Sequence, residues 1–236
     1  MKFNLKTIIA VVAFSVSATI AKSQTISATN GGLNSGIGVM TSEGGNPIGF
    51  SEYTGLVGNP FFNPDWVKGD VTFADGNVVK DKLVKYDEFK DKLFTQVAGT
   101  AKSGEFDQPV TSFTIITADG TLASFSIFPG NGKTSDNAFF QVLSDGKVKL
   151  LRKNAKTISE YKANMSSAVT TREVVDNIDY YLLIGGKAVR IKKDKKSVEA
   201  ALGNKQAELE SYIKANNLNL KNDADLAKLI TQYNTL

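Results

Sequence analysis

Five carboxylates in the first half of the chain, Glu52, Asp65, Asp70, Asp87 and Glu88, are the residues whose type could do chemistry. Two acids facing one another across a cleft, roughly 5–9.5 Å apart, hydrolyse glycosidic bonds. Spacing along the chain alone does not bring any two of these together. Residues 130–134, Gly-Asn-Gly-Lys-Thr, end like a phosphate-binding loop. The first glycine of that motif should fall at Ile127, and no helical pattern follows to aim amides at a phosphate. Ser135-Asp136-Asn137 and Ser159-Glu160-Tyr161-Lys162 echo the motifs of penicillin-binding enzymes, but in reversed order. Asp223 and Asp225 suggest a calcium loop only faintly, because acids opening a helix are accounted for by the positive end of its dipole.

The chain contains no histidine and no cysteine. That closes Ser-His-Asp and Cys-His nucleophiles, His-containing zinc sites, thiol chemistry and iron–sulfur clusters. No catalytic residue, metal ligand or cofactor site is assigned, and the balance is against an enzyme.

Two sets of residues suit binding instead. Lys147, Lys149, Arg152, Lys187, Arg190 and Lys192 lie in a block, residues 147–196, that holds thirteen Lys and Arg against five Asp and Glu. If its hairpins are neighbours they form a patch for an anionic polymer, lipid headgroups or an acidic envelope protein. The competing reading is a solvated strand face whose lysines deter edge-to-edge pairing. The second set, Trp66 with Phe61 and Phe62, forms a candidate aromatic platform for a sugar or peptide, with Tyr86 beside Trp66 in a groove. The competing reading there is a plug that seals one end of the sheet.

The elements that must position these residues are hairpins. Asp145-Gly146 sits between two apolar runs within 138–153, and Asp-Gly suits the positive φ of a two-residue type I′ turn. Val148 and Leu150 alternate with Lys147 and Lys149, which places the apolar pair on a core face. The device recurs at Asp75-Gly76, Asp119-Gly120 and Gly185-Gly186. Four such turns predict a mainly β fold, an antiparallel meander forming a sandwich or partly closed barrel. Within 154–176, Ile158, Tyr161 and Met165 fit a helical face while 169–175 has β-branched character, so that region reads as irregular with a strand. Residues 197–236 switch to a helical period, with Ser197, Asn204 and Asn222 as N-caps and Gly203 as a C-terminal stop. They form a small α-helical C-terminal extension.

Lys2 and Lys6, an apolar run over 7–20, and Ala21-Lys22-Ser23 before Gln24 read as a secretory signal peptide. Without residues 1–23 the formal charge falls from +4 to +1, so no nucleic-acid partner is expected. The organisation is then a signal peptide over 1–23, a flexible glycine-rich leader over 24–60, a β domain over 61–196 and the helical extension over 197–236. No transmembrane segment follows the signal.

The stretch 59–69 (NPFFNPDWVKG), the stretch 139–151 (FFQVLSDGKVKLL) and the ending with Tyr212, Leu226, Tyr233 and Leu236 resemble exported proteins of Bacteroidetes-type bacteria that have no assigned activity. The resemblance implies a periplasmic, outer-membrane-associated or secreted location and carries over no functional residue. The expectation is a non-catalytic envelope or secreted protein that binds a protein partner or an anionic surface. The alternative is a carbohydrate-binding or carbohydrate-active protein using aromatics and carboxylates.

Overall fold

The structure, a computed structural model, describes residues 39–40, 50–96, 103–129, 137–162 and 169–236. Its strands are β1 (Val39–Met40), β2 (Leu56–Val57), β3 (Val67–Phe73), β4 (Val78–Asp87), β5 (Lys92–Gln96), β6 (Ser103–Phe106), β7 (Val110–Ile116), β8 (Leu122–Pro129), β9 (Asn137–Ser144), β10 (Val148–Lys162), β11 (Thr170–Ile184) and β12 (Lys187–Ile191). Three helices follow: α1 (Lys195–Leu202), α2 (Gln206–Ala215) and α3 (Asp223–Tyr233). The expected signal peptide, residues 130–136 with the phosphate-loop and Ser135-Asp136 motifs, and Met165 lie outside the described residues.

The strands form one sheet in the order β1-β6-β5-β4-β3-β7-β8-β9-β10-β11-β12. Two meanders run outward from the β3–β7 pair, one through β4 to β6 and the other through β8 to β12. Every pair along this path is antiparallel, and β2 adds a short parallel pairing on β11. The architecture is the mainly β meander with a helical extension that the turn signals predict. Its end strands β1 and β12 do not pair with each other, so the sheet stays open.

Local chemistry explains where the meanders bend. Gly185 and Gly186 both take positive φ, 55° and 80°, and join Ile184 directly to Lys187 in a two-residue turn. The Asp145-Gly146 turn differs from expectation. Gly146 has φ 147°, Asp145 is not in the left-handed region, and the β9–β10 register shifts between Leu150 and Leu151. The physical reason is Asn234, just past α3. Its Oδ1 accepts from Val148 N (2.8 Å) and its Nδ2 donates to Val148 O (2.9 Å), so an amide side chain pairs with the strand end. On β3 a Cβ on Gly69 would collide with the Thr114 carbonyl oxygen of neighbouring β7, which is why a glycine stands there.

The helices dock on the sheet. Val198, Leu202, Leu209, Leu226, Leu229 and Ile230 are buried with Val148, Leu150, Leu182 and Ile191 in one core. A second, aromatic core gathers Phe73, Tyr86, Phe113, Phe125 and Phe139 under β3 to β9. Phe140, Leu151 and Tyr181 form a third cluster that contains no helix residue.

The caps differ in part from the sequence reading. Asp194, not Ser197, caps α1 by accepting from Ser197 N (2.8 Å). Lys205, at φ 58°, precedes α2 without a side-chain cap, while Asn204 accepts from the Tyr233 hydroxyl (2.9 Å). Asn222 caps α3 as expected, accepting from Ala224 N (2.8 Å). Residues 154–162 are strand rather than irregular, because Ile158 and Tyr161 gain cross-strand partners in Val174 and Thr171. Residues 50–60, read from sequence as leader, are built into the domain through Phe50, Tyr53 and β2.

Candidate functional site

Adjacency of β10, β11 and β12 makes the two basic hairpins neighbours. The strand pleat then divides their charges. Arg152 lies opposite Tyr180 on the helix-bearing face, with its Nη1 3.5 Å from Asp223 Oδ2. Lys193 Nζ (2.8 Å) and the Tyr180 hydroxyl (2.8 Å) also donate to Asp223. Burial works against the Asp223 charge, but these hydrogen bonds hold its carboxyl below the ordinary value. Lys149 and Arg190 lie opposite Leu183 and Tyr181 on the other face, ion-paired with Asp145 and Asp179. Lys147, Lys187 and Lys192 are exposed and have no ion pair among the described residues. Arg152 is therefore separated by the pleat from Lys149 and Arg190, and these three are neutralised by acids of the same chain.

The aromatic platform is divided the same way. Phe61 bridges to Asp87, and Phe62 N donates to Tyr86 O (2.9 Å), so consecutive rings point to opposite sides of β4. Phe62 packs edge-on against Phe125 in the aromatic core (5.1 Å). Tyr86 is buried in that core and donates to Asp91 Oδ1 (2.5 Å), which removes it from any groove beside Trp66. Phe61 packs on the outer side with Phe50 (4.7 Å) and Tyr53 (5.6 Å), and half-buried Trp66 lies 6.4 Å from Phe50.

Lys85 stands in the middle of this outer cluster. On β4 it alternates with buried Val84 and Tyr86 and pairs in register with Phe94. Its Nζ lies over the rings of Phe61 (4.5 Å), Trp66 (5.7 Å) and Phe50 (5.8 Å). Each ring face favours the ammonium by about 0.5–1 kcal/mol at an exposed site. Burial acts the other way, lowering the Lys85 pKa from its ordinary value against the opposing pull of Asp65. Sequence reasoning missed Lys85. The available signal was a lysine at the outward position of a strand whose neighbours Phe50, Phe61 and Trp66 come from a separate segment.

Four of the five candidate carboxylates are engaged within the fold. Asp87 is fully buried; it accepts from the Tyr53 hydroxyl (2.6 Å) and from the amides of Phe89 and Lys90 (2.9 Å each). Buried Glu88 accepts from Asn154 Nδ2 (2.9 Å) and lies 3.2 Å from Lys156 Nζ. Glu52 pairs with Lys90, and Asp70 accepts from Asp81 N (3.0 Å). Asp65 is exposed. Among the described residues no three acids converge as a metal site. A groove of about 420 Å³ between α2 and α3, lined by Tyr212, Ala227 and Thr231, holds none of these carboxylates.

The most distinctive surface is an arm. β10 and β11 pair over fifteen residues each, from Val148↔Ile184 to Lys162↔Thr170. β9 pairs with β10 only through Arg152, β12 with β11 only from Tyr180, and β2 only at Arg172 and Glu173. No described strand covers β10 beyond Lys156 or β11 from Val174 to Asp179. Tyr161 (47%), Val175 (39%) and Ile178 (42%) are exposed along this ribbon. Its base is pinned by Lys156, which donates to the carbonyls of Asn59 (2.8 Å) and Phe61 (2.9 Å), and by Lys153, which donates to Asp91 Oδ1 (2.6 Å).

No family model matches the chain, and no curated protein or solved structure matches it either. No helix among the described residues is long and apolar enough to cross a membrane.

Proposed function

We propose that this is a non-catalytic exported protein, periplasmic, outer-membrane-associated or secreted, that binds a protein partner through the β10–β11 arm. The observation that carries the reading is the ribbon itself, with backbone edges that no described strand covers and the exposed apolar side chains of Tyr161, Val175 and Ile178. Unpaired strand edges are templates for another chain, and folds that avoid such contact blunt them. An anionic-surface ligand is the weaker form of the binding reading, since Lys149, Arg152 and Arg190 already face acids of the same chain. The carbohydrate alternative is supported by the half-buried Trp66 ring.

The test is capture of envelope components by the wild-type protein and by a Val175→Lys/Ile178→Lys variant of equal stability. A stoichiometric protein captured by the wild type and lost by the variant, with arm amides gaining exchange protection on rebinding, supports the reading. Capture that survives the variant but fails in high salt refutes the arm and favours the basic residues. Binding of an envelope glycan with a change in Trp66 fluorescence favours the carbohydrate alternative.

A further inference from the structure

We propose that Lys85 is a carbonyl-capturing amine whose side chain condenses with small aldehydes, including the open-chain form of short reducing sugars. The inference stands apart from the partner-binding arm and uses none of its residues.

An ordinary surface lysine reacts slowly with carbonyls near neutral pH because its ammonium is strongly hydrated and protonated. Lys85 differs in three ways. Phe50, Phe61 and Trp66 surround its Nζ and take the place of water on that side. No described carboxylate lies within ion-pairing distance to hold the proton; Asp65 acts only from further away. The side chain is half-buried rather than sealed. Burial among these apolar rings lowers its pKa, which enlarges the fraction of free amine. Exposed Lys187 and Lys192 have no such surroundings.

The reaction needs no cofactor. The Nζ lone pair attacks the aldehyde carbon and a C–N bond forms. A proton passes from nitrogen to the former carbonyl oxygen, giving a carbinolamine. Loss of that hydroxyl with the remaining N–H proton, as water, leaves a C=N bond, and nothing is oxidised or reduced. The indole of Trp66 offers a flat apolar surface along which the aldehyde's tail can lie.

The test treats the whole protein with D-glyceraldehyde and cyanoborohydride near neutral pH and follows the mass increment at each lysine by peptide mapping. Lys85 should react about fivefold or more faster than Lys187 and Lys192, with its rate–pH midpoint displaced downward. Asp65→Asn, at an exposed position, should raise the Lys85 rate further by removing the acid that favours the ammonium. Trp66→Leu should bring the rate toward that of the reference lysines. A Lys85 rate equal to or below theirs overturns the proposal, as does an Asp65→Asn rate that falls.

Discussion

Replacing Lys156 by Met tests how the arm is held to the sheet. Glu88 is 3% exposed, and Lys156 Nζ lies 3.2 Å from its carboxylate. Removing one member of a buried ion pair costs about 3–5 kcal/mol, because the remaining charge is stranded. Asn154 still donates to Glu88, which puts the expectation at the lower end, about 3 kcal/mol. That is a large fraction of the 5–15 kcal/mol typical of folded domains and corresponds to a fall of about 1 M or more in urea midpoint. The pH dependence identifies the cause. Burial pushes the Glu88 carboxyl above 4.5, while Lys156 and Asn154 pull it back. The folded chain therefore holds that proton more tightly than the unfolded chain. The Glu88 contribution is complete below the ordinary carboxyl value and is lost as pH rises through the folded value. Without Lys156 the upward shift grows, so the variant should regain stability on acidification more steeply than the wild type. Glu88→Gln keeps a hydrogen-bonding group without the charge and should remove this slope. Urea unfolding across pH 4.5 to 8, followed by fluorescence of Trp66, the only tryptophan, reads all three proteins. A Lys156→Met protein within about 1 kcal/mol of wild type at neutral pH, with an unchanged slope, would falsify the reasoning.

Three further outcomes follow from contacts elsewhere. Asn234→Ala leaves the Val148 N–H and C=O without their side-chain partner and should cost about 1–3 kcal/mol in urea unfolding; hydrogen exchange should show Val148 losing protection. Gly69→Ala drives a Cβ into the Thr114 carbonyl and should destabilise by about 1–3 kcal/mol with an unchanged denaturant slope, because only the native state is strained. The Asp223 carboxyl is held low in the folded state, so its contribution is present above 3.8 and lost as pH falls through the folded value. Asp223→Asn should therefore give a shallower acid limb in thermal unfolding than the wild type.

Much of the fold is legible because the turns are local. Gly76, Gly120, Gly185 and Gly186 all take the positive φ that their dipeptides announce. Asp145-Gly146 carries the same announcement but answers to Asn234, a residue 88 positions beyond Gly146 that no turn rule consults. The irregular reading of the segment around Ile158 and Tyr161 lost to cross-strand pairing for the same reason, since the side chains that decide the matter come from β11. The binding residues were legible as types but not as surfaces. Arg152 is sorted by the pleat onto one face and Lys149 and Arg190 onto the other, and Phe61 and Phe62, adjacent in the chain, turn to opposite sides of one strand.

The amino-acid sequence by itself determined the chemistry that is closed, through the lack of histidine and cysteine, and the meander with its helical end, through turn residues and hydrophobic period. These are properties of composition and of neighbours a few residues apart. Only the tertiary structure decided which charges are neutralised, how far the β10–β11 ribbon extends past its neighbours, and that Lys85 stands among three rings from a separate segment. Ion pairing, edge exposure and desolvation depend on distances across the fold, and chain spacing does not encode them.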